Sequence, residues 1–412
     1  QDAQGYIAFG TERGRLNQRT AAQKCKKDEP QELLISGLQP DTRYYYQLRA
    51  EGIEVFEGEF HTQRRPGSEY TFTVTADSHL DDRVSAPIYL RTLANARADQ
   101  PDFNIDLGDT FMTEKHESRE NASRQYIAQR YYFGQLCRSA GLFLVLGNHD
   151  GESPRGRGDQ SESLAVWSNL MRKRYFPNPV PDEFYSGNAA KHPEAGLLQN
   201  YFAWQWGDAQ FVVLDPFWYP ERQRGRSDNW KRTLGLAQYQ WLRRTLESSP
   251  ARLKFVFIHH LVGGLNDQCR GGAEAAPLYE WGGRNADGSD GFKQNRPEWP
   301  APIHQLLVDN HVSTVFHGHD HFYAKQDLDG IVYQEVPQPG TPGQNRPRSA
   351  IEYGYQIGVI LGGPGHLRVR VTSDGATVDY VRAALADDER SDFRNAEVAH
   401  SYTIPARSAS VR

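Results

Sequence analysis

Five apolar, strand-sized segments of this chain each run straight into side chains able to hold a cation, and that recurrence limits the available folds more than any other feature. Tyr70-Thr-Phe-Thr-Val-Thr75 leads to Asp77-Ser-His79, and Phe103-Asn-Ile-Asp-Leu107 leads to Gly108-Asp109. Leu142-Phe-Leu-Val-Leu146 leads to Gly147-Asn-His-Asp150, and Leu253-Lys-Phe-Val-Phe-Ile258 to His259-His260. Thr314-Val-Phe316 ends in His317-Gly-His-Asp-His321. Helical stretches lie between them, at Val84 to Ala98, Glu117 to Cys137, Gln238 to Glu247 and Ile303 to Asn310. Strands separated by helices pair mainly in parallel under helical cover. Ligands of such sheets bind beyond the carboxyl ends of the strands, where all five segments can converge. Hairpins turning at Asp329-Gly330 and Asp374-Gly375 add antiparallel strands.

Composition removes whole classes of function. The 412 residues carry 47 basic and 52 acidic side chains, a formal charge of −5, which argues against general nucleic-acid binding or a polybasic membrane surface. No apolar run approaches the roughly 18 residues of a membrane span. Three cysteines, Cys25, Cys137 and Cys269, allow at most one disulfide and no thiolate zinc site. The first residues, Gln1 to Tyr6, hold neither the basic nor the apolar part of a leader.

Ahead of the alternating region, residues 1–66 read as a small all-β module, with strands expected at Tyr6-Ile-Ala-Phe9, Leu33-Leu-Ile35, Arg43-Tyr-Tyr-Tyr-Gln-Leu48 and Glu59-Phe-His-Thr62. The segment from Leu34 to Tyr46, with Gly37-Leu-Gln-Pro-Asp-Thr42 ahead of the tyrosines, resembles a strand pair of fibronectin type III-like domains. Such domains begin with two further strands, so the module is expected to be incomplete at its start. The Arg64-Arg-Pro-Gly67 linker then opens a catalytic domain over 67–412.

Singly, each of the five segments has an ordinary reading, because an Asp after a strand commonly caps a helix or forms a turn. In order they spell D-x-H, GD, GNHD, H and GHxH, a series similar to the calcineurin-like metallophosphoesterase superfamily, from Tyr70 to about Tyr323. The resemblance implies an α/β fold, a four-layer αββα sandwich, and a binuclear metal site. One cation would take Asp77, His79, Asp109 and His321; the other would take Asp109, Asn148, His259 and His319, with Asp109 bridging. Two such cations about 3.5–4 Å apart can clamp a phosphoryl group and hold a hydroxide between them. By the same resemblance His149 would protonate the leaving oxygen and Asp150 would orient it. His260 and His317 stand outside this set, and Asp106 and Asp215 admit both a capping role and a bond to a ligand imidazole.

The β module ahead of this catalytic order resembles purple acid phosphatases and related secreted alkaline-phosphatase-like enzymes. Purple enzymes carry a Tyr where this chain has Met112, and their first motif lacks a His where this one has His79. A colourless centre of Mn, Zn or Fe(II) is therefore expected, with His79 in place of the phenolate.

The implied activity is hydrolysis of small phosphate esters: monoesters first, diesters as the alternative, and a metal-free scaffold as a third reading. Loops Gly151 to Leu197 and Leu261 to Pro300 would form the rim, offering Arg155, Arg157, Arg270 and Arg284 with Trp167, Tyr279 and Trp281. The β module, read as a spacer, and the Asn121-Ala-Ser123 sequon point to an exported protein, secreted or periplasmic. Oligomeric state is left open.

Overall fold

The computed structural model describes residues 3–27, 29–50, 52, 56–154, 162–221, 228–343 and 347–408. Arg155 and Arg157 lie outside them.

Alternation in Tyr70–Thr75 builds the first layer. Phe72 and Val74 turn to the core, while Thr73 and Thr75 on the opposite side bond Asn104 and Asp106 of the parallel neighbour Phe103–Asp106, each at 2.8 Å. Gly141–Leu144 continues the parallel set. On the other flank Gly365–Thr372, Gly375–Arg382 and Val398–Pro405 add antiparallel strands to complete a six-stranded sheet.

A second, eight-stranded sheet has Ala209–Val213, Leu253–Phe257, Thr314–His317 and Ile331–Glu335 in parallel at its centre. Antiparallel strands flank it: Phe202–Trp206 and Ser186–Gly187 on one edge, Tyr323–Leu328 and Val359–Leu361 on the other. Its central strands are buried on both faces, which is why they read as near-continuous apolar runs.

The sheets meet through aromatic rings, Phe72 and Phe103 each 5.2 Å from Phe211 and Phe72 5.6 Å from Phe255. Helices Leu236–Ser248 and Ile303–Asp309 cover the outer face of the larger sheet with Tyr239, Leu242, Ile303 and Leu307 against Val212, Val256 and Val315. Helices Ala86–Ala98 and Arg119–Cys137 cover the smaller one. The expected four layers result.

The front of the chain forms a five-stranded antiparallel sheet: Ala3–Gly10 pairs with Gln18–Arg19, Gln23–Cys25 and Arg43–Ala50, and Phe56–His61 closes the edge. The expected strand Leu33–Ile35 is absent; this stretch is irregular, with Leu34 85% exposed, because no neighbouring strand offers it a ladder. The sheet leans on the larger body. Tyr46 Oη donates to the Arg138 carbonyl at 2.8 Å, and Arg64 grips Asp102 through two bonds of 2.8 and 2.9 Å.

The stretch expected as a rim loop, Gly151 to Leu197, contains a helix, Glu162–Tyr175. Its Arg172 is fully buried and paired with Glu152, Nε to Oε1 at 2.5 Å. Among the described residues none of Cys25, Cys137 and Cys269 forms a disulfide.

Candidate metal centre

The strands ending at Thr75, Asp106, Leu144, Phe257 and His317 release their loops at one rim of the sandwich, and the loops brace one another there. Asp77 N–H donates to Gly108 O (2.9 Å), His79 N–H to Asp109 O (3.1 Å) and Gly318 N–H to His259 O (2.9 Å). His319 N–H donates to Asp77 Oδ2, and His149 N–H to Asp109 Oδ1, each at 2.8 Å. Left-handed backbone recurs here: φ is 58° at Asp77, 49° at His79, 54° at Asp109, 81° at His319 and 68° at His321. Each such residue costs on the order of 1 kcal/mol or more, and persists because surrounding contacts over-determine it.

Two glycines of the motifs are explained by close approach. A Cβ on Gly147 would sit 2.0 Å from Asp109 N, and one on Gly318 would lie 2.6 Å from Asp77 Oδ2. Any larger residue would push the carboxylates apart.

Two groups of donors share Asp109: Asp77, His79, Asp109 and His321, and Asp109, His259 and His319. In the first, His321 Nε2 lies 3.3 Å from Asp77 Oδ1, and His79 Nε2 lies 3.7 and 3.6 Å from Asp77 Oδ1 and Asp109 Oδ2. In the second, His259 Nε2 is 3.4 Å from Asp109 Oδ2, 3.0 Å from Asn148 Oδ1 and 3.2 Å from His319 Nδ1. All seven predicted ligand residues therefore come together.

The surrounding bonds leave the right atoms free. His259 Nδ1–H donates to Leu107 O (2.8 Å) and His319 Nε2–H to Gln268 O (2.7 Å), which turns His259 Nε2 and His319 Nδ1 inward toward each other. Asp77 Oδ1 and His79 Nε2 are buried without a hydrogen-bond partner among the described residues. Such atoms are costly unless a cation takes them. This oxygen and nitrogen set, with no thiolate, fits divalent Mn, Zn or Fe.

Electrostatics agree. Burial opposes ionisation of Asp77 and Asp109, yet neighbouring imidazoles, His321 for the first and His259 for the second, hold both well below the usual carboxylate range. Burial likewise opposes protonation of His79 and His259, but the two carboxylates raise them to about 10 and about 9. The buried carboxylates demand positive charge, and cations can supply it. His319, facing Arg270 and His259, is driven far below its ordinary value by burial first.

His149 sits at the open side, its Nε2 4.0 Å from Asp109 Oδ2. Its expected orienter is displaced: Asp150 is turned away and accepts backbone N–H bonds from Gly147, Thr110 and Phe111 at 2.8 Å and Asp109 at 3.2 Å. Asp150 thus holds the GD and GNHD turns together. The carboxylate at His149 Nδ1 is Glu114, from the short 3-10 turn Thr113–Lys115. Nothing in the spacing of Glu114 marks it, since the turn that presents it is held from outside itself, with Thr113 Oγ1 3.0 Å from Tyr126 Oη of the following helix.

Other candidates have structural places. His317 Nδ1 is 2.7 Å from buried Glu335, whose Oε1 accepts the N–H of Asp320 (2.9 Å) and His321 (3.2 Å). His260 packs on Phe217. Asp106 accepts bonds from Thr75 and Thr110, and Asp215 from Asn200 and the Phe217 N–H. Of the expected rim residues, Trp281 is buried and donates to Tyr333, and Arg284 is exposed. Arg270, offered by the sequence as a rim residue able to pair with phosphate, donates to His319 O and Asp320 Oδ1 and stacks on Tyr353 at 4.5 Å.

The family model for calcineurin-like phosphoesterases matches residues 70–323. A search of curated proteins finds no match. Among solved structures, PhoD superposes with a TM-score of 0.65 at 17% identity, covering 100% of this chain and 87% of that chain. The purple acid phosphatase PPD1 from yellow lupin (Lupinus luteus) seeds superposes with a TM-score of 0.60 at 13% identity, covering 98% of this chain and 70% of that chain. At these identities the likeness is one of fold.

Proposed function

The chain belongs to the calcineurin-like phosphoesterase family and is a phosphoesterase that uses two divalent cations, and from that premise we propose that it hydrolyses phosphate monoesters. The observation that carries the reading is one buried carboxylate, Asp109, shared by two donor groups, with His149 beside it on the exposed side. Asp77, His79, Asp109 and His321 would hold one cation; Asp109, Asn148, His259 and His319 would hold the other. When bound, the pair supplies Lewis-acid polarisation of phosphoryl oxygens and an acidified water.

The chain's own residues do the rest. Glu114 accepts a hydrogen bond from His149 Nδ1–H and fixes the ring, so that Nε2–H faces the ester and can pass its proton to the departing alcohol oxygen. Asp150 keeps the two turns in register. Met112, buried where purple enzymes carry a phenolate, leaves the site colourless, with Mn, Zn or Fe(II) as its ions. We assign 1–66 to a β module acting as a spacer and 67–412 to the catalytic domain. The exposed Asn121 of the sequon supports an exported protein, and among the described residues no helix is long and apolar enough to cross a membrane.

The test is the rate on an aryl phosphate against the bis-aryl phosphate after reconstitution with each cation. The monoester is expected to be faster by about tenfold or more, a barrier difference near 1.4 kcal/mol. Faster cleavage of the diester would make the protein a phosphodiesterase. Absence of bound metal, with no loss of function in Asp109→Asn, would leave only a scaffold.

A further inference from the structure

Beside His321 the rim opens into a cavity of about 570 Å³ that the ligand residues do not fill. His321, whose Nε2 reaches Asp77, forms one wall. Arg83 and Arg348 line the cavity with Thr341, Ser349 and Gln338, and among the described residues no carboxylate lines it. Gln338 is itself fixed, donating to Asp77 O at 2.8 Å and accepting from Thr341, so this wall is braced against the metal loop. The Arg83 guanidinium donates through Nη2 to Asp81 at 3.0 Å and is 76% exposed; Arg348 is exposed. The Arg348 guanidinium, the Arg83 guanidinium shared with Asp81, the Ser349 hydroxyl and an imidazole wall, with no carboxylate among the described lining residues, make a chamber whose chemistry favours an anion.

We propose that this cavity is a subsite for a second anionic group, a phosphate or carboxylate carried on the alcohol portion of the ester. The proposal rests on the phosphomonoesterase reading above and narrows its substrate class to esters of acidic alcohols. A neutral leaving group would not engage Arg348, whereas an acidic one would anchor there and present the other phosphate to the His149 side of the site. The binding energy would come from a part of the substrate remote from the reacting phosphorus.

A matched pair tests it: pentyl phosphate and 1,5-pentanediol bisphosphate, assayed on the metal-loaded full chain, wild type, Arg348→Ala and Arg348→Lys. Wild type is expected to prefer the bisphosphate in kcat/KM by about tenfold, the size of one charge-assisted contact. Arg348→Ala should remove most of that preference, chiefly through KM, with the rate on pentyl phosphate unchanged; Arg348→Lys should restore part of it. Equal kcat/KM for the two esters, or a preference that survives Arg348→Ala, would overturn the subsite alone. Turnover of neither ester by wild type would overturn the monoesterase reading and the subsite with it.

Discussion

His149 and Glu114 set the clearest test at the scale of the residue. If His149 protonates the departing oxygen, His149→Ala should lower kcat by about 10²–10⁴-fold on alkyl phosphates. The loss should be much smaller on nitrophenyl phosphate, whose leaving group needs no proton. An equal loss on both would show that His149 acts otherwise. Glu114→Gln should lower kcat by about 10–100-fold with the same dependence on leaving group, as for a partner that orients a catalytic ring. Asp150→Asn should instead perturb metal retention, because the carboxylate's bonds go to the turns carrying Asp109 and Asn148. Bound metal per chain, read by elemental analysis beside kcat, separates the two acids.

The elements show where local pattern was enough and where it was not. Helix Arg119–Cys137 was legible from its apolar spacing, and it is capped by Ser118, whose Oγ accepts from the Asn121 N–H at 3.2 Å. Helix Glu162–Tyr175 was hidden in a stretch rich in charge, and it is anchored inward by the Arg172–Glu152 pair. Removing one member of a buried ion pair strands the other, so Arg172→Ala should destabilise by about 3–5 kcal/mol in chemical denaturation. A cost below about 1 kcal/mol would mean that the pair behaves as an exposed one does. The missing strand at Leu33–Ile35 is the converse case, a β-prone sequence with no partner to pair with.

Across the whole molecule, stability is expected to respond to acid through contacts that join one layer to the next. Asp99, at the end of helix Ala86–Ala98, accepts from His366 Nε2 (2.7 Å) and Arg368 Nη1 (2.8 Å) on the smaller sheet. Burial opposes its charge, yet these two partners hold its pKa below the ordinary value. The folded state then binds fewer protons than the unfolded chain near that value. The stabilisation is therefore present above about pH 4 and lost as pH falls through the folded pKa. Asp99→Asn should be less stable than wild type at pH 7, with the gap closing as pH falls below 4. A gap independent of pH would contradict the assignment.

The sequence by itself determined the inventory and order of the candidate ligands, because a strand, the turn that ends it and the side chain on that turn lie within a few residues of one another. It also made the central strands of the larger sheet legible, since burial on both faces demands unbroken apolar runs such as Leu253–Phe257. Only the tertiary structure decided that Glu114 rather than Asp150 faces His149, that Arg270 is committed to the His319 loop, and that Arg83 and Arg348 share a chamber beside His321. Glu114 and His149 are 35 positions apart, and Arg270 and His319 are 49 apart. No local propensity encodes such distances; the packing of the two sheets and their covering helices brings those side chains together.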